Sequence, residues 1–281
     1  DIIMTEQSGV AVKTGTNQAI PIDYYQGTDS NSAQKYKSKS SSVDDYLAEL
    51  AFILSKPTIL TQDGYVTENN KNKSNRIINL STKVLSSDPN NSLAYIYRAR
   101  AKNMVKDFDG AILDSNQGIS LDPTNSLAYF ARGNAKLYLN DCNGANSDFN
   151  QSIKLDNLNV NAYLNKGALY TSCQGLRNYK LALENTKKGY QLNPKDPTAN
   201  YNIGYLENKL GNFYDAIYYT TTAINLAKTY KLDPLRVSDF YLERSGSKLM
   251  LKDYRGSIDD MKAAIRLNPM ITSAKEYRYQ S

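Results

Sequence analysis

One short pattern recurs along this chain every 34 to 41 residues. Its two clearest copies begin at Ala94 and Ala128 and read AYIYRARAKNMVKDFDGAILDSNQGISLDP and AYFARGNAKLYLNDCNGANSDFNQSIKLDN. A fixed period of this length predicts one small supersecondary unit stacked on itself several times. Such an array presents a long surface, so we expect no single central active site.

The composition argues against catalysis. The 281-residue chain contains no His and only two Cys. The commonest general base and metal ligand is therefore missing, and a Cys-rich zinc site cannot form. We expect a protein that is not an enzyme and that uses no cofactor and no metal.

Charge and hydropathy argue against two further classes, nucleic-acid-binding proteins and membrane-spanning proteins. The net charge is +6, but acidic and basic residues alternate along the repeats. This is typical of a solvated mixed-charge surface rather than of a nucleic-acid face. The longest apolar stretch, residues 46–54, is interrupted by Glu49 and is too short to span a membrane.

The first 89 residues are the least regular part of the chain. Residues 1–42 are rich in Ser, Thr, Gln, Lys and Gly, which predicts an extended or disordered arm. Residues 43–89 predict a degenerate first helical pair with a long internal loop. Its helices are expected over 43–56, where Pro57 ends the first, and over about 74–87.

Residues 90–269 hold five regular copies of the pattern, and residues 270–281 are left as a short C-terminal cap. Aligned copies share small residues in both predicted helices and a mostly aromatic residue at the start of the second. Small residues on facing helices let the backbones approach, and aromatic residues fill the space beside that contact. The small columns are Ala99, Gly133, Gly167, Gly204 and Ser245, then Ala111, Ala145, Ala182, Ala216 and Ser257; the aromatic column is Phe108, Cys142, Tyr179, Phe213 and Tyr254.

Each copy also ends in Asp or Asn followed mostly by Pro, which sets the turn into the next copy. Together these columns resemble the tetratricopeptide repeat, a helix–turn–helix unit of 34 residues. The resemblance implies an all-α solenoid of helical hairpins, curled into a right-handed superhelix. Two copies depart from the pattern, with three extra residues near 173–178 and a lengthened tail over 227–232.

Two further positions of the aligned repeats, one in each helix, change residue type together. Where the first helix carries Arg, the second helix carries Asp sixteen residues later; where the first position is Lys166 or Ile203, the second is Asn185 or Tyr219. Paired changes indicate contact, so we predict a structural ion pair within three of the repeats. The predicted pairs are Arg98 with Asp114, Arg132 with Asp148, and Arg244 with Asp260.

The resemblance also implies that the first helix of each repeat lines a concave groove, which holds an extended or helical segment of a partner protein. An apolar concave surface is expected to have an occupant, and Asn amides both donate to and accept from a peptide backbone. The groove residues carried over by position are Ile96, Arg100, Phe130, Asn134, Tyr138, Leu164, Asn165, Tyr201, Asn202, Tyr205 and Leu242.

We therefore predict a non-catalytic scaffold that binds a partner segment in this groove or docks within a multiprotein assembly. The arm, residues 1–42, is a further candidate occupant of the chain's own groove or of a neighbour's. The alternative function is RNA binding by a helical repeat. That function needs a basic groove, and Arg100 and Lys209 are the cations at the groove positions.

One known use of such grooves is excluded. The repeats that grip the acidic C-terminal tail of heat-shock chaperones use two Lys, two Asn and one Arg. Asn134 and Asn165 match that pattern, but Phe130, Thr198 and Asn202 stand where the cations belong. A terminal carboxylate would have no charge partner there.

Cys142 and Cys173 fall in the helix–helix turns of neighbouring repeats, about one helix diameter apart. Two free thiols, with Cys142 replacing the usual aromatic residue, are the preferred interpretation, and a disulfide is the alternative. A disulfide would indicate an exported protein, because such bonds rarely persist in the cytosol. Free thiols would leave a soluble, cytoplasmic location open.

Overall fold

A computed structural model describes residues 43, 45, 46, 49, 50 and 53 and the continuous range 68–271. The predicted arm, and all of the predicted cap except Met270 and Ile271, lie outside the described residues. Within the described ranges the chain is helical and contains no strand. The predicted all-α class is therefore confirmed.

Eleven α-helices lie between residues 68 and 271. Within each repeat the two helices pack against each other as an antiparallel hairpin. The helices are α1 (Glu68–Ser87), α2 (Ser92–Met104), α3 (Phe108–Leu121), α4 (Ser126–Tyr138), α5 (Cys142–Leu155), α6 (Val160–Ser172), α7 (Tyr179–Leu192), α8 (Pro197–Lys209), α9 (Phe213–Tyr230), α10 (Pro234–Met250) and α11 (Tyr254–Leu267).

The described residues up to Pro123 form one compact unit, and those from Thr124 form a second. Of the five regular repeats, the first, α2 and α3, belongs to the first unit, and the other four form the second.

In the first unit, α1 packs against α2 and against the helical residues between 43 and 53. Leu50, Ile77 and Tyr97 are among the buried side chains of this core. The helix α1 begins at Glu68 rather than at about residue 74, which corrects the prediction. Its added turns read ENNKNK and are polar, so hydrophobic periodicity could not reveal them.

Acidic caps fix where three of the second helices begin. The Asp141 side chain accepts a hydrogen bond of 2.9 Å from the Gly144 N–H and so caps α5. A Cβ on Gly144 would lie 2.1 Å from that carboxylate, so glycine leaves the space that the cap occupies. The same arrangement recurs at Asp107 with Gly110 and at Asp253 with Gly256.

The small-residue columns mark contact between the helices of a repeat, as the sequence predicted. A Cβ on Gly133 would lie 2.9 Å from the ring of Phe149, which is fully buried. A Cβ on Gly204 would lie 2.6 Å from Thr220 Cγ2 and 3.1 Å from the Ala216 carbonyl oxygen. The two helices of these repeats are therefore as close as a glycine allows.

The two irregular repeats differ in their connections. The three extra residues of the third repeat form a short 3-10 helix, Gln174–Leu176, between α6 and α7. The lengthened tail of the fourth repeat continues α9 to Tyr230, and Lys231 ends the helix with a left-handed conformation at φ 51°.

Replacing Gly204 by Ala is expected to lower the free energy of unfolding by about 1–3 kcal/mol, because the added methyl group overlaps Thr220 and the backbone of α9. Gly246 is the matched control: it also lies within a first helix, but the nearest neighbour of an added Cβ is 3.9 Å away. Gly246→Ala is expected to stabilise by up to about 1 kcal/mol. Chemical denaturation of both variants measures the difference, and equal effects would show that the close approach at Gly204 is not a constraint.

Candidate functional site

The predicted Arg–Asp partners lie face to face in three repeats. In the second repeat, Arg132 Nη2 and Nε donate to the two oxygens of Asp148 at 2.6 and 2.9 Å. Asp148 is only 3% exposed, so the carboxylate is held inside the hairpin. The matching distances are 2.7 and 2.8 Å for Arg98 with Asp114, and 2.6 and 2.8 Å for Arg244 with Asp260.

A lysine completes each arrangement, and the sequence analysis missed it. Lys136 Nζ lies 2.9 Å from Asp148 Oδ2, so the buried carboxylate has two cationic partners. Lys102 and Lys248 occupy the same place beside Asp114 and Asp260, at 2.9 and 2.8 Å. The signal was present in the sequence: in all three repeats the lysine follows the arginine by four residues, which places both on one face of a helix.

An aromatic ring lies beside each arginine. The guanidinium carbon of Arg132 is 5.6 Å from the centroid of the Tyr129 ring, a favourable cation–π distance. Tyr95 and Tyr241 lie in the same way beside Arg98 and Arg244, at 5.5 and 5.4 Å. We call each set of Tyr, Arg, Lys and Asp a clamp; the three clamps are Tyr95–Arg98–Lys102–Asp114, Tyr129–Arg132–Lys136–Asp148 and Tyr241–Arg244–Lys248–Asp260.

The clamp changes the electrostatics of its acid. Burial alone would raise the pKa of Asp260, but hydrogen bonds and charge attraction from Arg244 and Lys248 outweigh it and hold the pKa below its ordinary value. The clamp cations lie on first helices, yet they are directed at their own second helix. They are therefore engaged within the fold.

Five of the predicted groove residues are not open to a partner, or only partly so, and the prediction is corrected for them. Three of them, Ile96, Phe130 and Leu164, are buried. Each packs against the second helix of its own repeat or in the adjoining core; for example, a Cβ on Gly189 of α7 would lie 2.9 Å from Leu164. Asn202 is 8% exposed. Tyr201 stacks on Phe240 at 4.7 Å and belongs to a core cluster.

Other predicted groove residues, together with neighbours that the sequence analysis did not single out, form a surface in the second unit. Tyr138, Lys209 and Met250 occupy equivalent positions near the ends of first helices, and all three are exposed, Tyr138 by 55% and Met250 by 61%. Lys209 Nζ lies 5.1 Å from the centroid of the half-buried Tyr205 ring. We call this surface the first-helix face; its residues are Asn134, Tyr138, Asn165, Tyr205, Asn208, Lys209, Glu243, Ser247 and Met250.

Polar contacts join neighbouring first helices across this face. Asn165 Nδ2 donates to Asn134 Oδ1 at 2.6 Å, which links α6 to α4. Asn208 Nδ2 donates to Ser247 Oγ at 2.8 Å, which links α8 to α10. Sequence reasoning found the first pair as groove residues but missed the second, because Asn208 and Ser247 are not at the family's usual groove positions.

The first-helix face also carries a partly buried acid. Burial raises the pKa of Glu243, and the charge of Lys209 and a hydrogen bond with Asn208 oppose the shift only in part. Burial likewise raises the pKa of the Tyr205 hydroxyl. This part of the face therefore offers an aromatic ring, a cation and a carboxyl group side by side.

Two further predicted residues lie elsewhere. Arg100 is a half-buried residue of the first unit, where burial lowers its pKa. Leu242 lies half-buried on α10.

The described residues contain no cluster of His, Cys, Asp and Glu that could hold a metal ion. None of the helices described is both long and apolar enough to cross a membrane.

Cys142 and Cys173 form a disulfide, so the preferred prediction of two free thiols was wrong. Their Cα atoms are 6.1 Å apart, and the bond joins the start of α5 to the end of α6. Cys173 is 1% exposed and packs in a core cluster with Phe149 and Leu169. The disulfide thus staples the second repeat to the third.

Solved structures resemble this arrangement of hairpins. YrrB, a TPR protein with an unusual peptide-binding site, is 17% identical with a TM-score of 0.53, over 71% of this chain and 97% of its own. TTC0263, a thermophilic TPR protein in Thermus thermophilus, is 13% identical with a TM-score of 0.56, over 74% of this chain and 100% of its own. The chain has the tetratricopeptide-repeat fold.

The same fold relates the chain to PilW, a type IV pilus biogenesis factor, at 19% identity and a TM-score of 0.61, over 82% of this chain and 94% of that one. No protein-family model matches the sequence, and no curated protein does. The likeness therefore establishes a tetratricopeptide-type solenoid of helical hairpins.

Loss of the disulfide is expected to lower the free energy of unfolding by roughly 2–4 kcal/mol, because the bond closes a loop between residues that are 31 positions apart. Denaturation of the oxidised and the reduced chain measures the change. The variant Cys142→Ala with Cys173→Ala serves as the control, since its stability should not respond to reductant. Equal stability of the oxidised and reduced chains would contradict this role.

Proposed function

We propose that the chain is a non-catalytic protein-binding scaffold, and that the first-helix face of its second unit binds an extended segment of another protein. One observation carries the proposal. Three exposed side chains occupy equivalent positions on three of the first helices: Tyr138, Lys209 and Met250. They lie on the same face as the polar side chains that link first helices by hydrogen bonds. Exposed aromatic and Met side chains are typical of binding surfaces.

The amide pair suits a peptide backbone. The bond between Asn165 Nδ2 and Asn134 Oδ1 does not use the amide nitrogen of Asn134, which can donate, or the amide oxygen of Asn165, which can accept. A peptide unit carries one N–H and one C=O, so the pair can bind it in both directions. A segment lying across α4 and α6 would meet Tyr138 beyond the pair.

RNA binding has less support. The cations Arg132, Lys136, Arg244 and Lys248 lie on first helices, but they are engaged by the buried acids of the clamps. An RNA groove needs cations that are directed at the phosphate backbone.

The arm, residues 1–42, is a second candidate occupant of the first-helix face, and the partner experiment below also tests it.

Affinity purification with mass spectrometry tests the proposal. Tyr205→Ala with Lys209→Ala is expected to reduce partner recovery by about tenfold or more, because it removes an aromatic contact and its cation. Tyr214→Ala is the control; this residue is 78% exposed but lies on the second helix α9. Unchanged recovery with the double variant, or equal losses in both, would contradict the proposal. If the arm covers the face, deletion of residues 1–42 should raise recovery.

We also propose that the chain works in an oxidising compartment, since a disulfide between neighbouring repeats persists there and is reduced in the cytosol. Alkylation of the thiols during extraction from the source organism tests this. Protection of both Cys142 and Cys173 is expected, and full alkylation of either would contradict it.

A further inference from the structure

The first-helix face changes its chemistry between the fourth and fifth repeats. In the second and third repeats, Asn134 and Asn165 bond to each other at 2.6 Å across neighbouring first helices. The alignment of the repeats places Tyr205 and Glu243 at the same two positions of the fourth and fifth. Within the part of the chain that the structure describes, no hydrogen bond joins Tyr205 to Glu243. Glu243 therefore lacks the bond between repeats that its counterpart Asn165 makes.

Hydrogen bonds fix where the two first helices meet. Asn208 Nδ2 on α8 donates to Ser247 Oγ on α10 at 2.8 Å, and Ser247 Oγ donates to the Glu243 carbonyl oxygen at 3.2 Å. Tyr205 and Glu243 each precede this junction by about one helical turn, and successive first helices run in the same direction. The Tyr205 ring and the Glu243 carboxylate are therefore neighbours, and the charge of Glu243 contributes to the raised pKa of Tyr205.

The face is open next to this acid. A Cβ on Gly246 would have Asn208 Nδ2 as its nearest neighbour, 3.9 Å away. Met250 follows one turn later and is 61% exposed. Positions 243, 246 and 250 share one side of α10 because they are three and four residues apart. A long side chain of a partner can therefore lie along Gly246, beside Met250, and end at Glu243.

Glu243 has a place for a cation. It is half-buried, and no cation of the described residues lies within ion-pair distance of it. Burial raises its pKa, and the charge of Lys209 and a hydrogen bond with Asn208 offset only part of that shift. By contrast, the buried Asp260 of the same repeat has two cations, at 2.6 and 2.8 Å. A partly desolvated carboxylate is costly without such a partner, so a cationic ligand is favoured here.

We propose that Glu243 selects the partner segment, and that this segment carries a lysine or arginine whose charged end binds Glu243 while its stem lies along Gly246 and Met250. The inference rests on the proposed function, since it names the class of segment that the first-helix face binds. Hydrogen bonds between a cationic group and a carboxylate are short and strong, and an adjacent aromatic ring also attracts a cation. A carboxylate here repels phosphate groups, which favours a basic protein segment over RNA.

The probes are a capped lysine–alanine peptide and a matched norleucine–alanine peptide, which keeps a four-carbon side chain and lacks the charge. Binding to the full chain is measured by NMR titration at low salt. The lysine peptide is expected to shift resonances around Glu243 and Gly246 and to bind about tenfold more tightly than the norleucine peptide, because it alone pairs with the carboxylate.

Two variants remove the charge and the opening separately. Glu243→Gln keeps the shape and should weaken the lysine peptide about tenfold, to the level of the norleucine peptide. Burial disfavours the charge of Glu243, so this variant should not lower the denaturant midpoint. Gly246→Leu keeps the acid but fills the opening, so it should weaken both peptides. Asp259→Asn is the control, because it removes one negative charge from an exposed position on α11 and should bind as the unchanged chain does.

Equal binding of the lysine and norleucine peptides would overturn the inference, as would equal effects of Glu243→Gln and Asp259→Asn. Partner recovery separates this failure from failure of the proposed function. If Tyr205→Ala with Lys209→Ala loses the partner but Glu243→Gln retains it fully, the face binds a segment that Glu243 does not select. If neither variant lowers recovery, the proposed function fails as well.

Discussion

The regular repeats depend on a buried carboxylate that receives an arginine and a lysine from the facing helix. Asp148 is nearly inaccessible, and an unpaired charge at that depth would be costly. Arg132 binds both of its oxygens and Lys136 binds one of them, so the desolvated acid is fully engaged. Because the bidentate geometry is directional, the clamp also sets how the two helices of a hairpin lie against each other.

The clamp and the glycine contacts act on the same hairpins. Gly133 lets α4 approach Phe149 of α5, and Arg132, its chain neighbour, reaches Asp148, the chain neighbour of Phe149. Close packing and charge pairing are therefore adjacent in space. A repeat that loses the clamp must hold its helices together in another way. The fourth repeat has a buried Ile203 at the arginine position, and its Glu207 binds Lys187 of the third repeat at 2.8 Å.

How far the sequence could predict the structure depended on the kind of signal. The Arg–Asp pairs were found because both members change together between copies. The clamp lysines show the same pattern but were overlooked. Groove positions carried over from the resemblance were less reliable. They placed Ile96, Phe130 and Leu164 in the groove, but these large apolar side chains lie in the core, where they remove apolar surface from water. The disulfide could not be decided from spacing, because it requires the two Cα atoms to lie close together, here 6.1 Å apart, and sequence spacing does not determine that distance.

The proposed binding surface, the first-helix face, draws on regular and irregular repeats alike: Tyr138 belongs to the second repeat and Met250 to the fifth, whereas Lys209 belongs to the fourth. The regular clamps keep their cations within the fold, whereas Lys209 of the fourth repeat lies beside the ring of Tyr205 on that face. The disulfide joins the second repeat to the less regular third repeat.

A double-mutant cycle on Arg132 and Asp148 tests most directly whether the clamp holds the hairpin together. The free energy of unfolding is measured for Arg132→Met, Asp148→Leu, the double variant and the unchanged chain. We predict a coupling of about 1.5–3 kcal/mol, with the double variant more stable than the sum of the single effects implies. Effects that add to within about 0.5 kcal/mol would contradict the account, since they would show that the two side chains contribute independently.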